Sequence, residues 1–154
     1  MKRDFTQRFG FLVNDVARLY GAQFDRLARE RIGLSRAQCR VLGALAMRGE
    51  PMSQAELAQE LELSAMTVGG LCERLEAGGW VRRQASATDR RANEVQLEPG
   101  AEKALDSAMK ISDGLQVRAL AALSADERAQ LISLLIKTRQ GLMNMPAEAG
   151  DAPA

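Results

Sequence analysis

Histidine is missing from all 154 residues. That excludes a His-based triad, an imidazole general base and His ligation of a metal. Cysteine is scarce. Cys39 and Cys72 stand far apart and make neither a CxxC pair nor a disulfide framework. Aromatic residues are 4% of the chain, so the core must be assembled from Leu, Val, Ile, Ala and Met. Neither sign of charge prevails: 21 Lys and Arg face 20 Asp and Glu, a net of +1. Total charge therefore says nothing for nucleic acid, and only local patches can. No apolar run reaches the roughly 20 residues of a membrane span, and no signal-peptide core is visible. The expectation is a cytoplasmic protein in a reducing compartment, without membrane contact. No glycine-rich phosphate loop follows a strand, and no pair of carboxylates is marked out by spacing. The expectation is no enzyme, no cofactor and no metal.

What is present is a helical pattern with one short interruption. Apolar residues are 46% and charged residues 27%, ordinary for a globular protein. Phe5, Phe9, Leu12, Val16, Leu19, Tyr20, Phe24 and Leu27 recur in steps of three and four, the stripe of one long helix, and Gly33 suits its end. Ser35-Arg36-Ala37-Gln38 is a capping box ahead of Val41, Leu42 and Leu45, and Gly49 and Pro51 stop that helix. Ser53-Gln54-Ala55-Glu56 is a second box. Ser124-Ala125-Asp126-Glu127 is a third, ahead of Leu131, Leu134, Leu135 and Leu142. Pro99 suits the start of a helix carrying Leu105, Met109, Leu115 and Leu120. Met145 to Ala154 is rich in Ala, Pro and acids and reads as a tail.

The segment from Ser53 to Leu97 carries the function. Leu57, Leu61, Leu63, Val68 and Leu71 form the inner face of two helices joined at Leu61-Glu62-Leu63, with small Ala58 at the crossing. Ser64 caps the second helix and leaves its positive dipole end free for a phosphate. Its outer face offers Ser64, Met66, Thr67, Gly69, Gly70 and Arg74 to a DNA groove. Gly78-Gly79 ends that helix, and Val81 on one side and Val95 and Leu97 on the other alternate as short half-buried strands. Arg82, Arg83, Arg90 and Arg91 crowd the intervening hairpin. In its loop, Asp89 is placed to hold Arg91 by charge-assisted bonds, and Arg90 and Arg91 to contact a minor groove. A solvated hairpin tip is the competing reading of the same charges. Helix, turn, helix and wing together predict a mainly α winged helix-turn-helix, a device that seats one helix in the major groove.

These stretches resemble the MarR family of bacterial winged-helix regulators. The likeness runs through Leu34 to Gln38 with Val41-Leu42, Ser53 to Ala58, Leu71 to Val81, and Asp89-Arg90-Arg91 with Val95-Gln96-Leu97. The resemblance implies a homodimer joined by N- and C-terminal helices, bound to a palindromic operator on double-stranded DNA, usually as a repressor. It implies release by a small effector, often an aromatic acid, bound between the dimer helices and the DNA-binding lobe. It implies that Arg91 reaches the minor groove and that Asp89 steadies it. Gly69 and Gly70 depart from the family pattern, which has longer or polar side chains there, and Glu98 stands where a Thr is common.

The resulting division is 1–34 and 99–144 for dimerisation, 35–98 for DNA binding, and 145–154 as a flexible tail. A single folded bundle is the alternative to interleaved terminal helices. For the effector, Arg18, Tyr20 and Arg40 are candidates; core packing for Tyr20 and a solvated face for the arginines compete. Cys39 and Cys72 read as buried structural thiols, with a redox sensor as the alternative. The competing function is a winged-helix protein-interaction module that has lost DNA binding.

Overall fold

The computed structural model describes residues 4–86 and 93–146. Helix α1 spans Phe9–Ile32 and α2 Arg36–Arg48. A two-residue strand, β1 (Met52–Ser53), leads into α3 (Gln54–Leu61) and α4 (Ala65–Ala77). Strands β2 (Val81–Ala85) and β3 (Asn93–Leu97) form the wing, and α5 (Ala101–Ala119) and α6 (Ala125–Met143) follow.

All three capping boxes form as their sequences require. Ser35, Ser53 and Ser124 each accept from the backbone N–H three residues on, while Gln38, Glu56 and Glu127 reach back to the cap. Helices α1 and α2 both end in left-handed glycines, Gly33 at φ 68° and Gly49 at φ 73°. The start of α1 differs from the sequence reading, which carried the helix back to Phe5. Asp4 accepts from the Thr6 backbone N–H (2.9 Å) and hydroxyl (2.7 Å), and this local turn holds the chain out of helix until Phe9.

The sheet has three antiparallel strands in the order β1-β3-β2. Met52 pairs with Val95, and Val81 with Leu97. Val81, Val95 and Met52 point into a core built with Val41, Leu42, Leu45, Leu57, Val68, Leu71 and Leu75. Helix α5 joins this core through Ala101 and Ala104. It reaches a smaller cluster of Leu27, Ala28 and Ile111 further along. The expected Leu105 is only partly buried and Met109 is 65% exposed, while Leu120 lies beyond the helix end. The expected Leu115 is buried, as is Ile111; nearer the start of α5, Ala101 and Ala104 bring the helix close and small side chains make its inner face there.

Two compact units divide the chain, one up to Leu115 and one from Gln116. In the second unit, the Arg128 Nε donates to the carbonyls of Leu120 and Leu123, both at 3.0 Å, and so fastens the turn before α6. Helix α6 buries none of its residues, and Leu134, Leu135, Ile136 and Leu142 all stand about half exposed. In the first unit, α1 likewise leaves Phe9, Phe11, Leu12, Val13, Val16 and Leu19 exposed.

Candidate nucleic-acid interface and adjoining cavity

The helix pair α3–α4 is joined by a turn that needs a left-handed residue. Glu62 supplies it at φ 53°, the one non-glycine with positive φ among the described residues. Its backbone N–H and that of Leu63 return to the end of α3, to the Gln59 and Ala58 carbonyls. The Leu61 carbonyl is met instead from outside the pair, by Arg40 Nη2 at 3.0 Å. Ser64 then caps α4: its Oγ accepts from the Thr67 N–H at 3.1 Å and is hydrogen-bonded to the Thr67 hydroxyl at 2.8 Å.

Helix α4 has two sharply different faces. Val68, Leu71, Cys72 and Leu75 are buried at three- and four-residue spacing. Ser64, Met66, Thr67 and Arg74 are exposed on the other side, Met66 at 88%. Gly69 and Gly70 are half-buried and add no side chain to that face. The hydroxyls of Ser64 and Thr67 are partly committed to the cap. The Arg74 side chain forms no ion pair or hydrogen bond among the described residues, whereas Arg83 on the wing does. The exit from α4 is tight: a Cβ on Gly78 would come within 2.8 Å of the Trp80 ring, and Gly79 has φ 73°. Trp80 is thereby held at the base of the wing, partly buried against the core.

The wing strands spend their own arginines on the scaffold. Arg83 reaches back to Glu76 on α4, with Nε at 2.8 Å and Nη2 at 2.6 Å, and its backbone N–H donates to the same carboxylate at 3.0 Å. These bonds from Arg83 hold the Glu76 carboxyl below its usual range and push the guanidinium up. Arg82 bonds Gln96 at 3.1 Å and approaches Glu98 at 3.5 Å. The sequence grouped these two with Arg90 and Arg91 as one basic cluster; Arg82 and Arg83 are instead neutralised locally. Asp89, Arg90 and Arg91 lie outside the described residues.

A cavity of about 330 Å³ opens between α1, α2 and the first part of α5. Tyr20, Phe24, Cys39, Leu105 and Met109 line it, with Arg36 and Arg40 at its edge. The Tyr20 hydroxyl donates to the Ser112 carbonyl at 3.3 Å within this lining. A basic groove of about 380 Å³ shares Arg36 and Arg40 and adds Arg18 and Asp25. Tyr20 and Arg40 thus meet in one cavity, and Arg18 does not join them; it lines the groove and pairs with Asp15 at 2.6 Å.

Arg36 was missed by sequence reasoning. Its guanidinium lies against buried Gly21 of α1, where a Cβ would come within 2.9 Å of it. Its backbone N–H donates to Asp25 at 2.7 Å. Burial, reinforced by the Asp25 charge, pushes the Cys39 thiol up to about 11, and burial raises Cys72 as well. Neither environment favours a thiolate. Among the described residues no group of three Cys, Asp or Glu side chains gathers around a metal position.

A capped helix with a bare outer face, a tight preceding turn and an adjoining hairpin define a winged helix-turn-helix protein of the transcriptional-regulator class. Residues 32–92 match the MarR family. It is 25% identical over 137 residues to the uncharacterized HTH-type transcriptional regulator YdgJ of Bacillus subtilis, covering 89% of this chain and 80% of that one. A probable transcriptional regulator from Pseudomonas aeruginosa superposes with a TM-score of 0.74 at 28% identity, covering 88% of this chain and 99% of the other. A cysteine-to-serine mutant of E. coli MarR, solved with operator DNA, superposes at 0.73 with 23% identity over 89% and 99% of the two chains, a likeness of fold.

Proposed function

We propose that the chain is a homodimeric repressor that binds a palindromic operator with α4 in the major groove and the wing beside it. The observation that carries this is the face of α4: a capped, solvent-facing helix with an arginine that is unpaired among the described residues, held by a buried Val68-Leu71-Cys72-Leu75 stripe. MarR of E. coli, whose fold this chain shares, has been solved with operator DNA. The exposed apolar faces of α1 and α6 supply the surface that a second copy would cover, so residues 1–34 and 99–144 serve dimerisation and 35–98 serve DNA. Residues 145–154 are assigned no part in either task. The protein acts in the cytoplasm by binding, with no chemical step.

The cavity beside α2 is the effector site in this reading. Its lining is apolar and aromatic, and two guanidinium groups flank it, which suits a small aromatic acid. Arg36 and Arg40 take the anion and Tyr20 the ring, while Arg18 belongs to the neighbouring groove. The test is fluorescence anisotropy on a duplex selected from random DNA, at several salt concentrations. The expected result is a two-to-one complex of chains to duplex with log affinity falling linearly in log salt. A protein that ignores duplex DNA at about 50 mM salt, yet stays folded, overturns the reading.

A further inference from the structure

Helix α4 has little with which to read bases. Met66 donates and accepts no conventional hydrogen bond, Thr67 shares its hydroxyl with the cap, and positions 69 and 70 have no side chain. Glycine is the poorest helix former after proline, and two in succession inside a helix call for a reason. Packing does not provide one. A Cβ on Gly69 would meet nothing within 4 Å. A Cβ on Gly70 would meet a single neighbour, the Arg74 guanidinium, with Nη1 at 3.6 Å and Nη2 at 3.8 Å.

That contact shows where Arg74 lies. Side chains on a helix lean toward its N-terminus, and residues four apart share a face. Arg74 therefore folds back one turn and lays its guanidinium over the bare backbone at Gly70. It is exposed and its side chain makes no ion pair or hydrogen bond among the described residues, unlike Arg82 and Arg83. Its planar fork is left free to donate. A guanidinium that donates two bonds in one plane matches O6 and N7 of guanine.

We propose that Gly70 and Arg74 form one base-reading unit: the absent side chain at 70 seats the Arg74 guanidinium over the middle of α4, and Arg74 reads a guanine in each half-site. Gly70 is the positioning residue and Arg74 the contact. This rests on the DNA-binding reading above. Alanine at 70 fits, because 3.6 Å is ordinary contact. A longer side chain occupies the seat and turns the guanidinium away.

The experiment is selection from a randomised duplex library by the full-length wild type, Gly70→Ala, Gly70→Gln and Arg74→Lys, with a melting curve for each. The wild type and Gly70→Ala are expected to enrich half-sites with one fixed guanine. Gly70→Gln is expected to melt at least as high as the wild type, since glutamine favours helix, and to lose the guanine preference about tenfold or more. Arg74→Lys keeps the charge and the salt dependence and weakens the same preference, because an ammonium lacks the planar fork. Stability and selectivity thus move apart, which a merely structural role for Gly70 does not produce. The proposal is overturned if Gly70→Gln enriches the same guanine as strongly as the wild type, or if the wild-type half-site contains no fixed guanine. A wild type that enriches no duplex at all sinks the DNA-binding reading and this one with it, an outcome distinct from enrichment that ignores Arg74.

Discussion

Arg40 Nη2 donates to the Leu61 carbonyl across 3.0 Å and so ties α2 to the turn that launches α4. Leu61 is the last residue of α3, and its carbonyl is one of the acceptors that a helix end leaves without an internal partner. The next residue, Glu62, holds an unfavourable left-handed conformation. Arg40 therefore stabilises the least favourable point of the helix-turn-helix. Arg40→Met keeps most of the stem and removes the donor. It is expected to lower unfolding free energy by about 1 kcal/mol in urea titration. An unchanged midpoint would show that water replaces the guanidinium without loss.

The glycines of α4 and its exit behave oppositely. Gly69→Ala meets open space and is expected to stabilise by up to about 1 kcal/mol through helix propensity and a less disordered unfolded chain. Gly78→Ala places a methyl within 2.8 Å of the Trp80 ring and is expected to destabilise. Thermal melts of the two variants should bracket the wild type. A loss of stability in Gly69→Ala would reveal a constraint on α4 beyond its packing.

Much of this architecture is local and therefore readable along the chain. A serine three residues before Gln or Glu forms its box at all three places where α2, α3 and α6 begin, and Gly33 and Gly49 terminate helices by their own conformational freedom. Strand β1 escaped because two residues carry no period; only pairing with distant Val95 makes Met52 a strand residue. The site was harder still. Arg36 against Gly21, and Arg83 against Glu76, are meetings between separate elements, and no local spacing announces them. Of the arginines that looked like one basic patch, Arg82 and Arg83 prove to be scaffold only once their acids are located.

Acid is expected to weaken the fold through carboxylates that sit below their usual range. Arg83 bonds lower Glu76, bonds from Arg29 and the Arg36 backbone lower Asp25, and the Ser53 cap and Arg48 lower Glu56. A folded-state pKa below the unfolded one means that the unfolded chain binds protons first. The stabilisation is complete above the ordinary values, 4.5 for Glu and 3.8 for Asp, and is lost as pH falls through the folded values. Chemical denaturation between about pH 7 and pH 3 should show stability falling below about pH 4.5, and Glu76→Gln should flatten part of that fall. An identical slope in Glu76→Gln would mean that the Arg83 bonds are as strong with a neutral partner.

The two thiols are expected to react slowly. With Cys39 raised to about 11 and Cys72 buried, the thiolate fraction near neutral pH is far smaller than that of a free thiol. Alkylation by iodoacetamide should run on the order of tenfold or more below a free thiol, and become fast on unfolding. Rapid modification of Cys39 in the folded protein would restore it as a candidate sensor. A peptide map after a short pulse distinguishes the two sites.

The exposed apolar faces of α1 and α6 set the last expectation. Val16 is 61% exposed and Leu135 47%, each within a run of exposed apolar neighbours, which an isolated chain in water does not favour. If a second copy covers them, a charge at either place must be buried on association or prevent it. Val16→Glu and Leu135→Glu are expected to shift light-scattering mass from two chains toward one and to weaken operator binding in step, because two half-sites then engage independently. Met47→Glu is the control: Met47 is 87% exposed on α2, outside both faces, and should leave mass and affinity unchanged. Monomers that bind operator as tightly as the wild type would separate DNA recognition from dimerisation and remove the reason for a palindrome.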